Sequence, residues 1–307
     1  MTQTVSSAMV DWIAVDWQAD RIAAVALGAK GIVGRRETRE VASAGPQSHE
    51  AALLALIGDW LRPGGTTPVL ACGALGARDG WIETPFRKVP VALDPAADLV
   101  AAPASDPRIQ VWVVPGLSQE RPAEVMRGEE TRIAGFLAGN PDFDGVLCLA
   151  GITTKWVHVS AREVVSFRTA MTGELFACLS SHAALLRDPE RAGRDDGAFA
   201  EAVGQTLSRP ERLASELFSI RAEGLLRGIA PATARARLSG LLIGAELAAM
   251  RPYWLGQQVA VIGTGDILDA YVRGLAEVGI VAETADGASM ALAGLAAIRA
   301  GMRTGTA

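Results

Sequence analysis

Asp16 ends a short apolar run at a sharp polar turn, residues 16–20, and a carboxylate so placed can hold Mg2+ directly or through water. A turn-capping aspartate is the plainer alternative. A second polar turn, residues 150–155, offers Gly151 for close backbone approach, hydroxyls on Thr153 and Thr154, and the positive charge of Lys155. By itself this also fits an ordinary hairpin. Glu129 and Glu130 follow an Arg127-Gly128 turn where a helix is predicted to begin. Carboxylates there complement the helix dipole, and one held near a hydroxyl can take its proton. Anion-binding turns, a cation-holding carboxylate and a base are the needs of phosphoryl transfer.

The two turns lie in matching frames. Residues 13–38 and 146–170 each read as an apolar strand, a tight polar loop, a second apolar strand, a small-residue or polar turn and a third strand. A duplicated hairpin half a chain apart predicts two homologous domains facing one cleft, with a loop on each side of a nucleotide triphosphate. The Gly139-Asn140-Pro141 break sets the boundary at 1–140 and 141–307.

Around the hairpins, residues 47–61 place Ala51, Leu54, Ile57 and Leu61 at helical spacing before a Pro-Gly-Gly stop. Strands are predicted at 69–72, 89–93 and 109–114, with an Ala/Pro/Asp-rich surface connection over 94–106 and a helix over 126–137. The second half continues with a helix over 172–186, N-capped by Thr172, and helical stretches over 198–229 and 231–250. A buried strand over 259–262 and helices from Ile267 and Met290 complete an α/β chain.

Composition narrows the partners. With 307 residues, half of them apolar, the chain can bury two cores. The net charge of −5 and the absence of a Lys/Arg stripe argue against nucleic acid. The longest apolar runs, 239–250 and 288–298, are too short or too rich in Gly and Ala to span a bilayer, and the start lacks a secretory pattern. Cys72, Cys148 and Cys178, odd in number and in apolar settings, predict reduced core thiols in a cytoplasmic protein. His49, His158 and His182 show no metal-ligand spacing. Oligomeric state stays open, and a homo-oligomer is compatible.

Several segments, taken in order, resemble the 2-dehydro-3-deoxygalactonokinases: GWIETP (80–85), VPGL (114–117), MRGEET (126–131), KWV (155–157), FRTAMTGEL (167–175) and SGLLIGAEL (239–247). The resemblance implies a two-domain actin-like ATPase (ribonuclease H-like) fold, a duplicated mixed sheet with a cleft between domains. It implies ATP-dependent phosphorylation of 2-dehydro-3-deoxy-D-galactonate at its 6-hydroxyl, with Mg2+, in galactonate degradation. Asp16 would then face the metal, and Gly151, Thr153, Thr154 and Lys155 the phosphates. Gly263, Thr264 and Gly265 would face the nucleoside, with Gly240 and Gly244 either there too or merely permitting close helix packing. One of Glu129 and Glu130 would be the base. Arg127 and Arg168 would meet the sugar carboxylate, and Arg78 and Trp81 would cover the sugar from a Gly-rich loop.

The first turn departs from the family. Where its pattern resembles DWGSTN, this chain has DWQADR, so that Gln18, Ala19 and the anionic Asp20 replace a glycine and two hydroxyl-type positions. The second turn has AGITTKW where the family resembles PGTHSKW. These departures keep an alternative open: a relative that binds a sugar acid or nucleotide without turnover, as a sensor or partner protein. Ala77 and Arg78 leave a shifted sugar substrate open as well.

Overall fold

The computed structural model describes residues 7–40, 45–93, 98–181 and 193–304. The chain forms two compact units, the first comprising Met1–Phe143, Ala161–Val165 and Gly287–Ala307, the second Asp144–Ser160 and Ser166–Asp286.

Unit 1 begins with the meander β1 (Trp12–Trp17), β2 (Ile22–Gly28) and β3 (Gly31–Thr38), followed by α1 (Pro46–Ile57) and β4 (Thr67–Gly73). Short strands β5 (Arg87–Lys88), β6 (Val91–Ala92) and β7 (Val100–Ala102) lead to β8 (Ile109–Val113), then β9 (Leu117–Gln119), β10 (Glu124–Met126) and α2 (Glu129–Gly139). The main sheet has the order β3-β2-β1-β4-β8-β7. β1, β4 and β8 run parallel, whereas β1–β2, β2–β3 and β7–β8 pair antiparallel. β1 is covered on both faces, and the two-residue period divides its side chains between two cores. Ile13, Val15 and Trp17 pack with Leu53, Ile57 and Trp60 on the α1 side. Ala14 faces the other way, with Leu70, Cys72, Leu295 and Ile298. Asp16 continues that second face at the strand's end.

Leu295 and Ile298 belong to the closing helix, Gly287–Thr304, which packs with unit 1 although the sequence boundary at 140 and 141 leaves it in the second half. It crosses α2 at van der Waals distance because both helices carry glycine there. A Cβ on Gly135 would lie 2.0 Å from Met290 O, and one on Gly294 1.9 Å from Thr131 O. Only glycine admits that approach.

Unit 2 holds the second meander, β11 (Gly145–Leu149), β12 (Thr154–Ser160) and the latter part of β13 (Glu163–Ala170). Then come α3 (Thr172–Ser181), α4 (Asp196–Ser208), α5 (Leu213–Leu226), α6 (Pro231–Ala249), α7 (Arg251–Trp254), β14 (Val259–Gly263), α8 (Gly265–Ala276) and β15 (Glu283–Asp286); the closing helix is α9. β11 pairs antiparallel with β12 and parallel with β14, as β1 does with β2 and β4. The duplication read from the sequence is therefore a duplication of topology. Cys148, Trp156, Phe199, Val203, Ile243, Leu247, Val261 and Tyr271 form the core beneath this sheet.

Several expectations are corrected. The helix predicted from residue 126 starts at Glu129, since Gly128 has φ +106° and Met126 is still in β10. The strand over 89–93 shrinks to two residues, Val91–Ala92, after Pro90, which has no N–H to continue a ladder. The connection over 94–106 contains β7. The helical stretch 198–229 is two helices broken at Arg209-Pro210, where the residue before proline is driven from helical geometry. Cys72 and Cys148 are buried, but Cys178 is exposed on α3 and is no core thiol. Residues 182–186 of the predicted helix, His182 among them, lie outside the described residues.

Candidate active site

In unit 1 the functional candidates gather where β1 and β4 end and α2 begins. Trp17 runs beside Gly73, whose φ of +94° and closeness to Trp17 O, 2.1 Å from a built Cβ, exclude any side chain. A Cβ on Gly128 would lie 3.1 Å from the Cα of Gly73, so the start of α2 presses on the end of β4. Carboxyl ends of parallel strands are where open α/β sheets bind ligands.

Asp16 is buried, and both of its carboxylate oxygens accept hydrogen bonds. Its Oδ2 accepts from Arg132 Nη2 at 2.9 Å and lies 3.8 Å from Arg21 Nη2. Its Oδ1 accepts from Gln18 Nε2 and from Cys72 Sγ, the latter at 3.7 Å. The backbone N–H of Gln18 donates to Arg21 O at 2.7 Å, closing the turn. Gln18 thus fills the turn with an amide aimed inward, while Ala19 and Asp20 are exposed. Both oxygens of the expected Mg2+ ligand thus carry protein donors, with Arg132 on one and Gln18 on the other. No group of three or more His, Cys, Asp or Glu side chains able to hold a metal exists among the described residues.

The two glutamates divide. Glu130 is 3 % exposed, its carboxylate accepting from Gly128 N at 2.7 and 2.9 Å and from Thr131 Oγ1 at 3.1 Å. Burial, and then the nearby charge of Glu129, push its carboxyl up to about 7. Glu129 is half-buried, with Oε2 accepting from Arg127 N at 3.0 Å. The Arg127 guanidinium donates to Thr84 Oγ1 and, at 3.2 Å, to Thr84 O, and stacks 4.3 Å over the Phe86 ring. Burial draws its pKa down.

The Gly-rich loop departs from expectation. Trp81 is 1 % exposed and its Nε1 donates to Pro103 O at 2.7 Å, so it anchors the loop from within the core and presents no surface to a sugar. Arg78 is almost fully exposed, 3.7 Å from Glu83.

In unit 2, Lys155 Nζ donates to Thr153 Oγ1 at 3.0 Å, so charge and hydroxyl of the second turn stand together. Gly151 has open space except for Thr153 O at 3.3 Å from a built Cβ. Thr154 is fully buried and turned away, its Oγ1 2.6 Å from the Tyr271 hydroxyl. Arg168 is exposed on β13.

Gly240 and Gly244 are packing residues. Built Cβ atoms there would lie 2.5 Å from Phe199 O and 2.4 Å from Val203 O, so they admit α4 against α6 and leave no room for a purine. Their helix neighbours Ser239 and Ile243 instead line a cavity of about 380 Å³, together with Phe176, Phe199, Ile267 and Tyr271. Gly263, Thr264 and Gly265 close β14 and open α8, and Asp266 and Ile267, next in sequence, are part of the cavity wall.

The sequence pattern described as 2-keto-3-deoxy-galactonokinase matches residues 16–298, from Asp16 through both turns to the last helix. The chain belongs to this kinase family. An Escherichia coli (strain K12) 2-dehydro-3-deoxygalactonokinase is 30 % identical over 262 residues, covering 84 % of this chain and 87 % of that protein. The Rhizobium meliloti (strain 1021) protein named "Probable 2-dehydro-3-deoxygalactonokinase DgoK1" is 36 % identical over 237 residues, 75 % of this chain and 77 % of its own. A crystal structure of a Sinorhizobium meliloti protein described by the same activity superimposes with a TM-score of 0.82 at 32 % identity, covering 94 % of this chain and 96 % of that one. More distantly, the activator of the 2-hydroxyisocaproyl-CoA dehydratase from Clostridium difficile, solved with ADPNP, shares the fold at 12 % identity and a TM-score of 0.51, over 96 % of this chain and 97 % of that one. The architecture is the duplicated actin-like ATPase fold expected from the sequence, and use of ATP follows from membership of a kinase family. No helix among the described residues is long and apolar enough to cross a membrane.

Sequence reading missed three residues of this 2-keto-3-deoxy-galactonokinase-family chain. Arg132 follows Glu129 by three positions on α2 and so shares its face. Glu246 is a lone carboxylate in an apolar helical run, a pattern that implies buried partners. Tyr271, one of two tyrosines in the chain, joins Glu246 to Thr154.

Proposed function

We propose that the protein is a cytoplasmic 2-dehydro-3-deoxygalactonokinase that transfers the γ-phosphoryl group of Mg-ATP to the 6-hydroxyl of 2-dehydro-3-deoxy-D-galactonate. The observation that carries this reading is the family match over residues 16–298, a span that takes in both turns and the α2 start. Mg2+ arrives as part of the nucleotide substrate.

In this reading Glu129, the accessible member of the pair, is the base. As O6 bonds to the γ-phosphorus, the hydroxyl proton passes to the Glu129 carboxylate, the bond to the bridging oxygen breaks and ADP leaves. Glu130 is the positioning residue, tying down the Gly128 N–H that opens α2. Arg127 uses two of its five N–H donors on Thr84, leaving a planar fork for the sugar carboxylate, and Arg168 is the second candidate. Gly151, Thr153 and Lys155 serve the phosphates, and Thr154 supports that turn from behind. The cavity beside residues 263–265 takes the adenine, with Ile243 and Ile267 in its apolar lining and Arg235 and Arg273 at its polar edge.

The test is 31P NMR of the product after incubation with Mg-ATP and the sugar acid. A phosphomonoester coupled to the C6 protons supports the reading, and its absence from a folded preparation rejects it.

A further inference from the structure

Asp16 is a single negative charge on which several donors converge. Arg132 holds Oδ2 at 2.9 Å, Arg21 stands 3.8 Å from that oxygen, and Gln18 holds Oδ1. Asp16 and Arg132 lie 116 residues apart in sequence, on β1 and α2, and both side chains are mostly buried. Burial opposes the charge on Arg132, and the Asp16 carboxylate sustains it. A directly bound Mg2+ needs an oxygen at roughly 2.1 Å with near-octahedral room around it. A guanidinium on the same oxygen fills that room and repels the cation, so the two are alternatives.

We propose that Arg132 is a positioning residue that keeps Asp16 closed in an internal ion pair, so that the first turn of this chain takes up no divalent cation directly. The nucleotide then carries its own Mg2+, and Arg132 neutralises the carboxylate that would otherwise repel the triphosphate, while Arg21, 3.3 Å from Glu37, stands behind it. The inference rests on the reading of this turn as a phosphate turn. It also accounts for Gln18: its amide completes the closure of Asp16 from the side opposite Arg132.

The experiment measures Mn2+ bound to the full chain by electron paramagnetic resonance, without nucleotide. Three proteins are compared: native, Arg132→Gln and the double variant Asp16→Asn with Arg132→Gln. The double variant leaves neither charge of the pair buried without its partner, and circular dichroism of all three proteins checks the fold before the comparison. The native and double-variant proteins should bind Mn2+ equally, whereas Arg132→Gln should gain about tenfold in affinity, a gain confined to proteins retaining Asp16. Loss of Mn2+ binding in the double variant relative to native overturns the proposal, as does a folded Arg132→Gln with no gain. If Arg132→Gln does not fold, native against double variant decides alone. Sugar-dependent ADP formation, assayed separately on the native chain, reports on the kinase reading, so failure of one is told from failure of the other.

Discussion

The Tyr271 hydroxyl donates to Glu246 Oε2 at 2.6 Å and lies the same 2.6 Å from Thr154 Oγ1. Trp156 Nε1 donates to the other oxygen of Glu246 at 2.7 Å. One buried carboxyl therefore joins α6, α8 and β12 behind the second turn, while Tyr271 also lines the cavity. Burial raises the Glu246 pKa, and the hydrogen bonds from Thr172, Tyr271 and Trp156 oppose that rise. Glu246→Ala removes the acceptor shared by three buried donors, Thr172, Tyr271 and Trp156, and should cost on the order of 3 kcal/mol. Glu246→Gln, which keeps an acceptor for Trp156, should cost far less. Urea unfolding of the two variants checks the difference.

Glu130 gives the fold a pH dependence of definite sign. Its carboxyl titrates at about 7 in the folded chain against an ordinary 4.5, because burial and then the Glu129 charge disfavour ionisation. The folded state therefore holds the proton more tightly, and the stability it contributes is full below the ordinary value and lost as pH rises through 7. Native protein should lose urea resistance between about pH 5 and 7.5, and Glu130→Gln should flatten that decline. An equal slope in both proteins assigns the pH dependence elsewhere.

Glu129→Gln should lower kcat at least about a hundredfold, the usual lower range for loss of a general base, with little change in nucleotide affinity. Steady-state kinetics on both glutamate variants make the comparison. An undiminished kcat in Glu129→Gln together with a collapse in Glu130→Gln reverses the assignment.

The duplicated meander was legible because alternating burial writes itself into apolar runs such as 13–15 and 146–149, and Asp16 was legible as the polar residue that ends one of them. Arg132 was not, because its role depends on β1 meeting α2 across 116 residues. Trp81 misled and Gly240 stayed ambiguous for one reason: an aromatic ring and a small residue serve core packing as readily as a ligand. Only the contacts with Pro103 O and Phe199 O separate the two uses. The cavity also escaped the sequence, since its walls come from four helices whose apolar residues each read as ordinary core.

The altered first turn should weaken nucleotide binding. Gln18→Gly, Ala19→Ser and Asp20→Thr together remove the amide that fills the turn, restore hydroxyl donors and delete a negative charge. Calorimetry should find Mg-ATP bound about tenfold more tightly by the restored protein, the order expected of a few charge-assisted hydrogen bonds. Equal affinity shows that Arg21 and Arg132 already compensate for the turn.

Formation of ADP by the native chain at saturating Mg-ATP, with 2-dehydro-3-deoxy-D-galactonate present and absent, is the most direct measurement. A kinase of this sugar acid should release ADP only when the acid is present, slowly because of the first turn, and Glu129→Gln should abolish that release. A folded native chain whose ADP formation is the same with and without the sugar acid would contradict the proposed function.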